Sequence, residues 1–83
     1  MSKKLYIGNL SFSSTEEDLQ DTFGRFGTVD SVAVITDRET GRPRGFAFVE
    51  MAEASAADEA IRKLDGSDLG GRSIRVNEAQ GRR

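Results

Sequence analysis

The chain has 83 residues, with twelve basic and fourteen acidic side chains, a formal net charge of −2, and neither cysteine nor histidine. This composition excludes a disulfide framework, a thiolate zinc site and a thiol nucleophile, and it removes the commonest general base and metal ligand. No apolar run approaches the roughly 20 residues of a membrane span, and no apolar segment of the secretory kind follows the charged start MSKKL (1–5), so one small domain with no membrane role is expected.

KLYIG (4–8) alternates and is rich in strand formers, which predicts a strand with Leu5 and Ile7 on one face and Lys4 and Tyr6 on the other. Asn9 and Leu10 leave it. Ser14 or Thr15 supplies an N-cap for a helix, and Ser14-x-x-Glu17 has capping-box spacing. Glu16, Glu17 and Asp18 fill the first turn, where the helix dipole favours negative charge. Leu19, Phe23 and Phe26 form the apolar stripe, and Gly27 is the stop signal. TVDSVAVIT (28–36) predicts a β-branched second strand, Val32 and Val34 inward, with Ser31, Ala33 and Ile35 on the opposite face. Val29 is out of step with Val32, and a bulge near Asp30 reconciles them. DRETGRP (37–43) is a turn-rich connection, RGFAFVEM (44–51) a third strand, and AEASAADEAIRKL (52–64) a second helix with Ala57, Ala60, Ile61 and Leu64 as its stripe. DGSDLGG (65–71) reads as a glycine-rich loop and RSIRVNEA (72–79) as the last strand, with Ile74 and Val76 inward. Residues 4–79 thus make one domain between short tails at 1–3 and 80–83.

The order is β-α-β-β-α-β. Right-handed crossovers bring both helices to the same side of one sheet. The predicted fold is α+β, a ferredoxin-like sandwich of a four-stranded antiparallel sheet with two helices on one face. In RGFAFVEM, Ala47, Val49 and Met51 take the core-facing row, whereas Arg44, Phe46, Phe48 and Glu50 take the other. Tyr6, Phe46 and Phe48 therefore fall on the face that the helices leave open. A domain of this size has few large apolar side chains to spare for water.

RGFAFVEM matches the eight-residue RNP1 pattern of the RNA recognition motif at seven of eight places, and LYIGNL (5–10) resembles the shorter RNP2 hexapeptide of the same family. The two fall on strands 1 and 3, the central pair in a ferredoxin-like order. DRETG before the first motif and DGSDLGGRSIRVNEA at the end also look like the family, so the resemblance spans about residues 4–79. The wording is similar to that of the small single-domain RNA-recognition proteins of bacteria. Met51 departs from the pattern where the family prefers an aromatic, but it lies on the core row and is a tolerant filler there.

The resemblance implies a non-catalytic domain that binds single-stranded RNA and needs no cofactor or metal. Splayed bases stack on rings of a flat sheet, at roughly 1–3 kcal/mol per base. By this resemblance Tyr6 and Phe48 each stack a base, Phe46 packs against sugars or assists the stacking, and Arg44 reaches a phosphate or makes a charge-assisted hydrogen bond. Gly45 lets the strand pass closely without a side chain. Lys4, beside Tyr6, meets a phosphate, and Arg75 and Asn77 of the last strand read base edges, helped by backbone groups near Ala79. Stacking does not itself distinguish ribose from deoxyribose, so single-stranded DNA is a second candidate partner.

Charge is unevenly distributed. Residues 14–26 and 53–65 hold eight acids and three bases, net −5, and the remaining residues hold six acids and nine bases, net +3. Acidic helices behind a mildly basic sheet suit a nucleic-acid face on the sheet side. They also offer a surface to a protein partner, the competing reading in which the aromatic face is a peptide site. Arg38, Arg42 and Arg72 in loops, and Arg82 and Arg83 in the tail, serve either phosphate contact or simple solvation. A small hydrolase of acylphosphatase type would need an arginine in a phosphate-cradling first loop, and NLSFSST has none. A monomer is expected, cytoplasmic if bacterial and otherwise cytoplasmic or nuclear.

Overall fold

A computed structural model describes residues 2–11, 13–36, 38–41 and 43–79, with Pro43 and Arg44 by their backbone alone. Arg42, Arg82 and Arg83 and the 80–83 tail lie outside the described residues. The elements are β1 (Lys3–Gly8), α1 (Glu16–Gly24), β2 (Val29–Thr36), β3 (Pro43–Met51), α2 (Ala54–Leu64), β4 (Asp68–Leu69), β5 (Arg72–Ser73) and β6 (Arg75–Glu78). The main sheet has the order β2-β3-β1-β6 with every pair antiparallel. This is the expected β-α-β-β-α-β sandwich, with β1 and β3 at its centre.

The core lies between the sheet and the two helices. Leu5 and Ile7 of β1, Ala47, Val49 and Met51 of β3, and Val76 of β6 are closed from solvent against Leu19 and Phe23 of α1 and Ala57 and Ala60 of α2. Val32 and Val34 pack on this core but stay half-buried, because β2 is an edge strand. Val29 pairs with Met51 and Ser31 with Glu50, so Asp30 is the extra residue of a bulge. That restores the phase of Val29 and Val32 as the sequence required.

Three local expectations are corrected. The capping box at α1 belongs to Thr15 and Asp18, not Ser14 and Glu17. The Asp18 backbone N–H donates to Thr15 Oγ1 at 3.1 Å, and the Thr15 N–H donates to Asp18 Oδ2 at 3.1 Å. The shorter carboxylate serves because it stands at the third helical position from Thr15, with the same spacing as the usual glutamate. Ser14 is instead buried at 6% exposure, and its hydroxyl has no partner among the described residues. The helix also ends at Gly24, before Gly27, with the Phe26 N–H turning back to the Phe23 carbonyl at 3.0 Å. Gly27 is required by contact: a Cβ there would stand 2.6 Å from that of Ala56 in α2.

The third correction concerns the last strand, which divides. Arg72–Ser73 pairs with Asp68–Leu69 in a small hairpin whose turn, Gly70-Gly71, has φ of +62° and +86°. Ile74 then hydrogen-bonds back to the Gly66–Ser67 backbone, its N–H to Ser67 O at 2.9 Å and its carbonyl from Gly66 N at 2.7 Å. Only Arg75–Glu78 joins β1. The outward N–H of Val76 on this edge is taken by Asp65 Oδ1 at 3.0 Å. On the helix side, Lys3 Nζ donates to Asp58 Oδ1 of α2 at 2.7 Å and lies 3.5 Å from Glu78 Oε1, which ties β1 to its neighbours.

Candidate nucleic-acid interface

The helix-free face is ordered in rows by strand register. One row runs Ala33, Phe48, Tyr6, Asn77 across β2, β3, β1 and β6. The next holds Phe46, Gly8 and Arg75, and the row on the other side holds Ser31, Glu50 and Lys4. The period-two alternation of β1 and β3 thus brings all three rings to the middle of the sheet, where the two central strands give them the most rigid backing.

The rings form a triangle. Tyr6 and Phe46 have centroids 5.9 Å apart at an interplanar angle of 32°, Tyr6 and Phe48 5.8 Å at 61°, and Phe46 and Phe48 6.1 Å at 85°. Each is half-buried, and none belongs to the core under the helices. Such tilted and edge-on pairs are the preferred aromatic geometry, and they hold the rings in place while leaving surface to a ligand. Tyr6 also lies along its own strand over Gly8, where a Cβ would meet the ring at 3.0 Å. Sequence reasoning missed this role of Gly8, although a glycine two residues after a tyrosine in a strand leaves room on the same face.

The polar residues expected here are brought together in part. Lys4 is exposed on the open face with Nζ 5.8 Å from the Phe48 centroid. Asn77 is exposed beside Tyr6. Arg75 is exposed at the edge of the sheet, but its Nε lies 3.6 Å from Asp65 Oδ1, so part of its charge is already met. The Arg44 side chain lies outside the described residues. The Ala79 N–H, offered as a base reader, is bonded to the Lys4 carbonyl at 2.8 Å. Gly45 has φ +89° and carries the chain through an irregularity between Ala47 and Pro43; the nearest atom to a Cβ there would be Leu10 O at 3.9 Å. Its left-handed backbone, and not a close approach, is what calls for glycine. Among the loop arginines, Arg72 donates from Nη2 to Asn9 Oδ1 at 2.7 Å, and Asn9 Nδ2 donates to Ser73 O at 2.7 Å, which fixes the hairpin to the end of β1.

The site is a platform and not a cleft. An open groove of about 630 Å³ lies on the helix side, between Arg25–Thr28 and the start of α2, and contains none of the three rings. Among the described residues no three potential metal ligands cluster. A surface of three fixed rings rimmed by lysine, asparagine and arginine is suited to flat, unpaired π-systems carried on an anionic chain.

Comparison with known proteins agrees with this fold. The sequence profile described as RNA recognition motif matches residues 5–75. A Nostoc protein named for RNA binding, RbpD, is 54% identical over 78 residues, covering 94% of this chain and 83% of its own. The glycine-rich RNA-binding protein 2 of Arabidopsis thaliana mitochondria is 51% identical over 82 residues, covering 99% of this chain and 52% of its own. Among solved structures, the crystal structure of RNA Binding Protein PG1 superposes with a TM-score of 0.92 at 46% identity over 98% of each chain. The Rna15 RRM with bound RNA (GU) superposes at 0.84 and 29% identity, over 94% of this chain and 83% of that one.

Proposed function

The chain belongs to the RNA recognition motif family, and on that premise we propose that it binds single-stranded RNA by stacking bases on the aromatic platform of β1 and β3. It is a non-catalytic binding domain. The observation that carries the reading is the ring triangle of Tyr6, Phe46 and Phe48 on the helix-free face. In this reading Tyr6 and Phe48 each take a base, Phe46 supports the sugars between them, Arg44 and Lys4 meet phosphates, and Arg75 and Asn77 meet base edges. Two stacked bases at roughly 1–3 kcal/mol each, with Phe46 against the sugars between them, supply most of the affinity, so a chain of net charge −2 can still hold a polyanion. The acidic helices direct it to one face.

The test is a titration with a short single-stranded RNA, its duplex and the matching single-stranded DNA. Tyr6 is the one tyrosine and the chain has no tryptophan, so tyrosine fluorescence reports directly on the platform. Quenching by the single strand, and none by the duplex, is expected. With about two phosphates neutralised, by Lys4 and Arg44, log affinity falls against log salt with a slope of about −1.4. A slope near −5, or equal binding of the duplex, would assign the function to charge instead of stacking.

A further inference from the structure

The open face carries one residue that a phosphate-binding surface would not choose. Glu50 alternates onto the same side as Phe46 and Phe48, two residues along β3 from Phe48, and stands opposite Lys4 on β1 and Ser31 on β2. It is half-buried. Its Oε2 accepts a hydrogen bond from Ser2 Oγ at 3.1 Å. No lysine or arginine among the described side chains forms an ion pair with it. Lys4, directly across, is turned toward the Phe48 ring. The carboxylate is thus oriented from one side and keeps most of its acceptor capacity for whatever lies on the platform.

We propose that Glu50 reads the base stacked on Phe48, selecting one that presents paired N–H donors, guanine first. This rests on the stacking reading above. A carboxylate is acceptor-only. Guanine offers N1–H and N2–H side by side on its Watson–Crick edge, which matches two carboxylate oxygens, and its O6 next to them accepts from the Lys4 ammonium across the strand pair. Adenine and cytosine each offer a single amino group. Uracil offers one N–H between two carbonyl oxygens, both of which the carboxylate repels. The order expected is guanine, then adenine and cytosine, then uracil.

The experiment uses single-stranded tetranucleotides of uridine in which one position is replaced in turn by guanosine, adenosine, cytidine or inosine, read by tyrosine fluorescence. In the wild type the best-placed guanosine binds about ten-fold more tightly than all-uridine, the scale of one good bidentate contact. Inosine, which lacks the 2-amino group, loses most of that advantage. Glu50→Gln collapses the guanosine-to-uridine ratio toward one. An unchanged ratio in Glu50→Gln, a wild type that prefers uridine, or inosine equal to guanosine would each overturn the assignment. A uniform rise in affinity for every oligonucleotide in Glu50→Gln would also overturn it, since that is mere charge repulsion. Failure of the stacking reading looks different: no tetranucleotide then quenches Tyr6, and Phe48→Ala leaves binding to all of them unaltered.

Discussion

Tyr6 occupies the space that a side chain at Gly8 would fill: a Cβ at position 8 would stand 3.0 Å from Cε2 and 3.2 Å from the hydroxyl oxygen of the ring. The tyrosine therefore leans along β1 toward Phe46, which pairs across the sheet with Gly8, and the two rings come within 32° of parallel. Gly8→Ala is expected to push the ring off this seat. RNA affinity falls several-fold, on the scale of a partial loss of one stack of roughly 1–3 kcal/mol. Thermal stability changes little, because position 8 has no left-handed backbone to strain. Titration beside a melting curve checks both halves.

Phe48 and Phe23 separate binding from folding. Phe48→Ala costs roughly 1–3 kcal/mol of RNA binding and little stability, since the ring lies outside the core under the helices. Phe23 is fully buried under the sheet, and Phe23→Ala costs about 3–5 kcal/mol of stability. Denaturant unfolding and RNA titration on both variants give the comparison. The reverse pattern would mean that the two faces of the sheet have been interchanged.

Adjacent lysines do opposite work. Lys4→Ala lowers affinity and makes the salt slope shallower by about 0.7, one phosphate contact on a single strand, with stability unaffected. Lys3→Ala leaves the salt slope alone and lowers stability modestly. The Lys3 ammonium is held above its ordinary pKa of 10.5 first by its hydrogen bond to Asp58; desolvation, the next effect in size, opposes this, and the charges of Asp58 and Glu78 and a hydrogen bond to Glu78 add to it. Because the folded value is the higher one, this contribution is fully present below the unfolded lysine's pKa and is lost as pH rises through the folded one. Melting temperatures of wild type and Lys3→Ala should differ at neutral pH and converge in the strongly alkaline range.

The cap of α1 gives a fourth test. Thr15→Ala removes the acceptor for the Asp18 N–H and costs about 1 kcal/mol. Ser14→Ala removes a buried hydroxyl with no partner among the described residues, so it should be neutral or slightly stabilising. Chemical denaturation of the two variants decides between the capping box found here and the one that Ser14 and Glu17 would have formed.

The residues that place the rings were legible because alternation is a strong signal. Leu5, Ile7, Ala47 and Val49 could lie only on the covered face, and that put Tyr6, Phe46 and Phe48 on the other. The Asp30 bulge was legible for the same reason, as a break in phase. What remained hidden depends on contacts between segments distant in sequence. Gly27 reads locally as a helix stop, but the structure shows it meeting Ala56. Arg75 reads as a free cation, and its meeting with Asp65 follows from how the end of α2 docks beside β6. Ile74 looks like mid-strand until the Gly66–Ser67 backbone takes its hydrogen bonds.

A molecule that displays three aromatic rings to water invites association with its own kind, and in β proteins the usual route is strand joining strand at a sheet margin. Here the β6 margin is blunted by Asp65, whose carboxylate occupies the Val76 N–H that a fifth strand would seek. The β2 margin is broken by the extra residue at Asp30, which twists the backbone away from a straight template. One acidic side chain and one inserted residue thus leave neither margin as a straight, open template for strand addition.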